Sequence, residues 1–174
     1  MVEWGVIILA ALLVSVGLRT YAFQTFYIPS GSMEPTLLVG DRIIVDKLAV
    51  DWGTIHRGDV LVFKAPPAEN CGGEPVVDLV KRVIGVPGDK LYSIGNTIYV
   101  NSKPLHENWP HSEPLGNAIA TAASPVVIPA NHYFMMGDNH SNSCDSRMWG
   151  TITRSDVIGK AFLRVWPLNR LGFM

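Results

Sequence analysis

Two short segments carry residue types that can do covalent chemistry. In Pro29-Ser30-Gly31-Ser32-Met33 the proline fixes φ and the glycine permits a sharp reversal. Ser32 can then present its hydroxyl and its backbone N–H to one space, with the Ser30 hydroxyl turned toward an oxyanion from the side. Further on, Leu79-Val80-Lys81-Arg82-Val83-Ile84 sets a lysine in an apolar strand, where a period of two puts Leu79, Lys81 and Val83 on one face and Val80, Arg82 and Ile84 on the other. Apolar neighbours strip water from the amine and drive its pKa down from about 10.4. At pH 7 an unperturbed lysine is free amine about once in 2,500, so a useful base needs its pKa lowered by about two, roughly 3 kcal/mol. The Arg82 charge, brought close, pushes the same way. Alone, the first segment reads as a serine-rich turn and the second as a Lys-Arg pair snorkelling from a surface strand. Together they are the raw material of a serine nucleophile with a lysine base.

A third segment, Met136 to Arg147, crowds small polar residues between apolar strands. Its hydroxyls can hold a lysine, while Asp145 and Arg147 can pair to stiffen the loop. It is not an EF-hand, because Ser143 stands at the sixth position and Trp149 where the bidentate acid belongs. His140, with Asp138 and Asp145 near it, leaves a rival open: a histidine base in a conventional triad, with Lys81 merely structural. Alanine at Lys81 and at His140, assayed separately, distinguishes the two.

The elements that must position these residues read as short strands. Asp41–Asp46, Asp59–Lys64 and Val76–Val86 are apolar or β-branched runs bounded by glycine or proline, and Lys90–Val100 reads as a hairpin turning on Gly95-Asn96 with positive φ at both. Residues 101–125 lack periodicity and are expected to be loop, and later strands are expected at Val126–Ile128, His132–Met136 and Val157–Trp166. The fold class is therefore mainly β. From Trp4 to Leu18 the chain carries no charge, which reads either as a membrane anchor or as the core of a secretory signal ending at Ser15-Val16-Gly17. Glu3 in place of a basic cluster, and the aromatics Tyr21, Phe23, Phe26 and Tyr27 that follow, favour the anchor. With 14 Lys+Arg against 15 Asp+Glu the net charge is −1, so no nucleic-acid partner is expected. Cys71 and Cys144 have no CxxC spacing for zinc, and neither a metal nor a cofactor is expected. A disulfide between them is permitted outside the cytoplasm, and linked and unlinked readings both stand.

Taken in order, the N-terminal apolar segment, SGSMEPT (Ser30–Thr36), RGDVLVF (Arg57–Phe63), KRVIGVPGD (Lys81–Asp89) and GDNHSNSCDSR (Gly137–Arg147) resemble the type I signal peptidases, membrane-bound serine–lysine endopeptidases. The resemblance implies removal of signal peptides from exported preproteins after a small-x-small motif. By it, Ser32 matches the nucleophile, Lys81 the base, Ser30 with the Ser32 amide the oxyanion hole, Ser143 a lysine-orienting hydroxyl, and Asp145 with Arg147 a supporting salt bridge. Phe26, Ile28, Leu37, Ile43 and Val80 match shallow apolar substrate pockets. The expected organisation is an anchor over residues 1–23 and a β-rich body over 24–174, with a small inserted excursion at about 91–133. The body would lie on the outer side of a bacterial cytoplasmic membrane, in contact with lipid, and grip an extended peptide by strand pairing. The chain departs from the family where its loop commonly reads GDNRDNS: His140 and Ser141 replace the arginine and aspartate, which removes whatever ionic contact that pair makes. A membrane-tethered β-domain that binds exported chains without cutting them is the rival of another class, and intact Ser32 and Lys81 speak against it.

Overall fold

The apolar runs pair into antiparallel sheets, seen in a computed structural model that describes residues 4–10, 17, 21–69, 71–72 and 76–174. The larger sheet runs β1 (Phe23–Tyr27), β2 (Arg42–Asp46), β11 (Val157–Trp166), β3 (Val60–Lys64), β4 (Asp78–Gly85), β9 (His132–Met136), β10 (Ile152–Thr153), and β12 (Gly172–Phe173) pairs with β11. The smaller runs β7 (Lys103–Pro104), β6 (Thr97–Val100), β5 (Lys90–Ile94), β8 (Val126–Val127). The chain is thus mainly β. Strands β2, β3, β4, β9 and β11 and the β5–β6 hairpin lie where the apolar patterning puts them. The two-residue strands β7, β10 and β12 are too short to leave a periodic signal, and β1 falls in aromatics that also suit a membrane interface.

Burial explains why β3 reads as an unbroken apolar run. Val60 and Val62 pack on one side of the sheet with Ile28, Met33, Leu37, Ile43, Val45 and Ala161. Leu61 and Phe63 pack on the other with Val83, Met135, Tyr133 and Trp149. A strand covered on both faces needs apolar side chains at every position. A third cluster, including Ile84, Leu91, Ile98, Leu115 and Phe134, joins the smaller sheet to the far end of β4 and β9.

Two expectations change. The β5–β6 turn has positive φ at Gly95 but not at Asn96, whose side-chain oxygen accepts from Leu115 N; the positive-φ pair is Asn101 and Ser102, in the turn between β6 and β7. Residues 101–125 are not loop throughout, because Lys103–Pro104 adds a strand against β6. No helix among the described residues is long and apolar enough to cross a membrane. Residues 4–10 are helical and exposed, while 11–16 and 18–20 of the expected anchor lie outside the described residues.

Candidate active site

Strand β4 has two different edges. β3 pairs with it from Asp78 to Arg82, whereas β9 pairs with it only from Arg82 to Gly85, so residues 78–81 keep one edge unpaired. β1 is the terminal strand of the sheet and also has an unpaired edge. The end of β1 and the start of β4 border a cleft of about 440 Å³, lined by Phe26, Ile28, Ser32, Leu79, Val80 and Lys81, with Gly72 and Val76 from the β3–β4 connection. Of the residues expected to form substrate pockets, Phe26, Ile28 and Val80 line this cleft. Leu37 and Ile43 do not: both are fully buried in the core beneath it, packed with Ile28 and Met33.

Ser32 lies in a single 3-10 turn, Gly31–Met33, with Lys81 Nζ 2.5 Å from its Oγ. Ser30, exposed, brings its Oγ within 3.5 Å of Ser32 Oγ. Lys81 is 3% exposed and shares its strand face with Leu79 and Val83, which pack with Leu61, Phe63 and Met135. Desolvation by this burial lowers its pKa to about 8, against the opposing pull of the Asp145 and Asp138 carboxylates and with help from the Arg147 charge. Arg82 is not among the charges acting on it. It projects from the opposite face, where Asp138 takes its Nε and Nη2 at 2.8 and 2.6 Å, Gly58 O takes its Nη1 at 2.7 Å, and Trp109 covers it at 5.0 Å.

The 137–147 loop approaches from the other side. Asp145, fully buried, accepts from Arg147 Nε and Nη2 at 2.8 and 2.7 Å and from Gly137 N at 3.1 Å. Asn139, which the sequence reading passed over, binds the Ser32 turn twice: its N donates to Ser32 O at 3.1 Å and its Nδ2 to Gly31 O at 3.0 Å. A side-chain amide beside the Gly-Asp of that loop was the available signal. A Cβ on Gly137 would collide with Ser143 and with the Ser32 carbonyl oxygen, so only glycine lets the loop come this close. Ser143 therefore lies beside the Ser32 turn, but its buried Oγ makes no hydrogen bond here, to Lys81 or to any described residue. The histidine triad is not assembled: His140 Nε2 faces Glu107 at 3.3 Å, and Asp138 and Asp145 are each bound by an arginine.

Cys71 and Cys144 form a disulfide with Cα atoms 6.0 Å apart, tying the β3–β4 connection, and with it the cleft-lining Gly72, to the loop that carries Ser143 and Asp145. Glu69 lies against the same two sulfurs, the one grouping of metal-ligating atoms among the described residues, and the disulfide takes both thiolates out of play. The arrangement offers a hydroxyl, a dry amine in contact with it, and a cleft alongside.

Residues 1–166 match the family described as signal peptidase, peptidase S26. A probable signal peptidase I-2 of Synechocystis is 37% identical over 173 residues, 99% of this chain and 76% of that protein. A signal peptidase I of Leptolyngbya laminosa is 38% identical over 163 residues, 93% and 78% of the two chains. The signal peptidase I T of Bacillus subtilis is 32% identical over 175 residues, 97% and 87% of the two. A crystal structure of a signal peptidase I from Enterococcus faecalis is 27% identical and covers 62% of this chain and 96% of that one, with a TM-score of 0.48.

Proposed function

The chain belongs to the signal peptidase family, peptidase S26, and from that premise we propose how its residues carry out the cleavage. It is a serine endopeptidase that removes signal peptides from preproteins. Ser32 is the nucleophile and Lys81 its base. The neutral amine accepts the hydroxyl proton as Oγ attacks the scissile carbonyl carbon, then returns that proton to the leaving amine as the C–N bond breaks. It next takes a proton from the water that frees the acyl group. The single observation that carries this reading is the 2.5 Å contact between Lys81 Nζ and Ser32 Oγ, with the amine lowered to about 8 by burial. At pH 7 such an amine is free roughly a tenth of the time, a gain of more than two orders of magnitude over an exposed lysine.

The Ser30 hydroxyl and the Ser32 N–H receive the oxyanion. Asp145 with Arg147 stiffens the loop, and Ser143, close by but unbonded, orients the amine once substrate has entered. An extended peptide adds to the unpaired edges of β1 and β4, with Phe26, Ile28 and Val80 forming shallow pockets that admit small side chains before the cut. Leu37 and Ile43 shape those pockets from beneath. Residues 1–23 anchor the chain in the cytoplasmic membrane and 24–174 form the body on its outer side, where a disulfide persists. Supporting contact with lipid, Tyr21, Tyr27, Trp166, Leu168, Leu171 and Phe173 are all exposed. Wild type and Ser32→Ala, incubated with one secretory precursor and read by N-terminal sequencing, test the reading: a cut after a small-x-small triplet, lost in the alanine form, is expected. An undiminished cut in the alanine form overturns the assignment of the nucleophile.

A further inference from the structure

His140 is buried in the catalytic loop and has no part in the reaction as described. Its Nε2 lies 3.3 Å from Glu107 Oε1, and Glu107 is itself only 9% exposed at its side chain. That buried carboxylate oxygen makes no hydrogen bond among the described residues, and the His140 ring nitrogen at 3.3 Å is the polar atom that faces it. The ring also stacks on His111 at 5.2 Å; His111 Nε2 is 3.8 Å from the other Glu107 oxygen and 3.7 Å from Glu113. Glu107 and His111, with Arg147 at the histidine's carbonyl, are the charged or titratable groups that contact His140, and Glu113 lies beyond them against His111.

Glu107 comes from the segment after β7, which Leu105 and Leu115 tie into the third apolar cluster. His140 is held to that segment at its backbone as well, its N donating to Ser112 Oγ at 3.1 Å. On its other side the His140 carbonyl accepts from Arg147 Nη2 at 2.8 Å, and the same guanidinium grips Asp145. Of the charged groups acting on the lysine, Asp145 is the strongest, and it favours the ammonium form, while Arg147 opposes it. An unbroken series of contacts therefore runs from Glu107 through His140, Arg147 and Asp145 toward Lys81.

We propose that Glu107 and His140 are a positioning pair: the carboxylate holds the imidazole in place, the His140 carbonyl fixes Arg147 on Asp145, and Arg147 so held offsets the Asp145 charge that Lys81 feels. The pair gives this loop a side-chain contact from a distant segment.

This rests on the reading of Lys81 as the base. Glu107→Gln keeps the shape of the side chain and removes its charge, and His140→Ala removes the other half. Each is expected to lower kcat on a precursor by roughly tenfold to a hundredfold with KM unchanged. Each should also move the Lys81 titration, followed by NMR in the intact chain, to higher pH, because a loosened Arg147 no longer offsets Asp145. His140→Arg, which places a guanidinium within reach of Glu107, should restore kcat. An unmoved Lys81 titration in both variants overturns the proposal, even where melting temperature falls, since the pair would then be a structural brace. The NMR arm does not depend on catalysis: a wild-type chain that fails to cut any precursor sinks the functional reading, while the titration still decides the pair.

Discussion

Lys81 and Arg82 are neighbours on one strand, both buried, at 3% and 7% exposure, yet the fold treats their charges in opposite ways. On one face Arg82 meets a bidentate carboxylate, a carbonyl and an indole, so its charge is kept and fully partnered. On the other, Lys81 meets apolar side chains and a hydroxyl, and no carboxylate among the described residues pairs directly with it, so burial lowers its pKa to about 8. A guanidinium cannot be discharged by burial, whereas an ammonium can. The strand thus places a fully partnered cation and a desolvated amine one residue apart, on opposite faces set by the alternation of its side chains.

Breaking the chemical side should have the largest effect. Ser32→Ala and Lys81→Met should each lower kcat for precursor cleavage by about 10⁴-fold or more, and the double change should cost little beyond either alone, because the two act as a unit. The structural side comes next. Asp138→Ala leaves a buried guanidinium unpaired and should destabilise the chain by about 3–5 kcal/mol in denaturant unfolding. The comparison sharpens at Lys81 itself, where function opposes stability. Its folded pKa of about 8 lies below the 10.5 of an unfolded chain, so between those values the unfolded chain holds a proton that the folded one lacks, and stability rises with pH across that window. Below pH 8 the cost is fully present, about 3 kcal/mol, and Lys81→Met should recover it at pH 7 while abolishing activity. That gain should vanish above pH 10.5, a dependence that thermal melts of the two proteins at several pH values will read. Smallest is the expected pH effect on wild-type turnover: kcat/KM should climb with pH and level off above about 8, falling about tenfold for each pH unit well below it.

Much of the dyad was legible because it depends on local pattern. The glycine turn at Ser32 and the apolar alternation around Lys81 are properties of a few consecutive residues, and they predict an exposed hydroxyl and a dry amine. The role first given to Arg82 was misplaced for the same reason. Alternation said that it faces away from Lys81, but not that Asp138 waits there to hold its charge. Leu37 and Ile43 show a related limit: an apolar residue near a cleft in sequence can lie one layer beneath it, and only packing decides which. The contacts of Asn139 with the nucleophile turn, and of Glu107 with His140, join residues far apart in the chain, with no periodicity to announce them.

What the chain determined by itself is the inventory and the strands: a serine in a tight turn, a lysine set among apolar strand neighbours, and mainly β structure around them. These follow from backbone geometry and side-chain alternation, which act over a handful of residues. The tertiary structure alone decided which partner each buried charge receives, that Cys71 and Cys144 are joined, and that the free edges of β1 and β4 border the cleft beside the nucleophile. Those outcomes depend on how strands distant in sequence come together, and electrostatic fields and packing follow distance in space rather than along the chain.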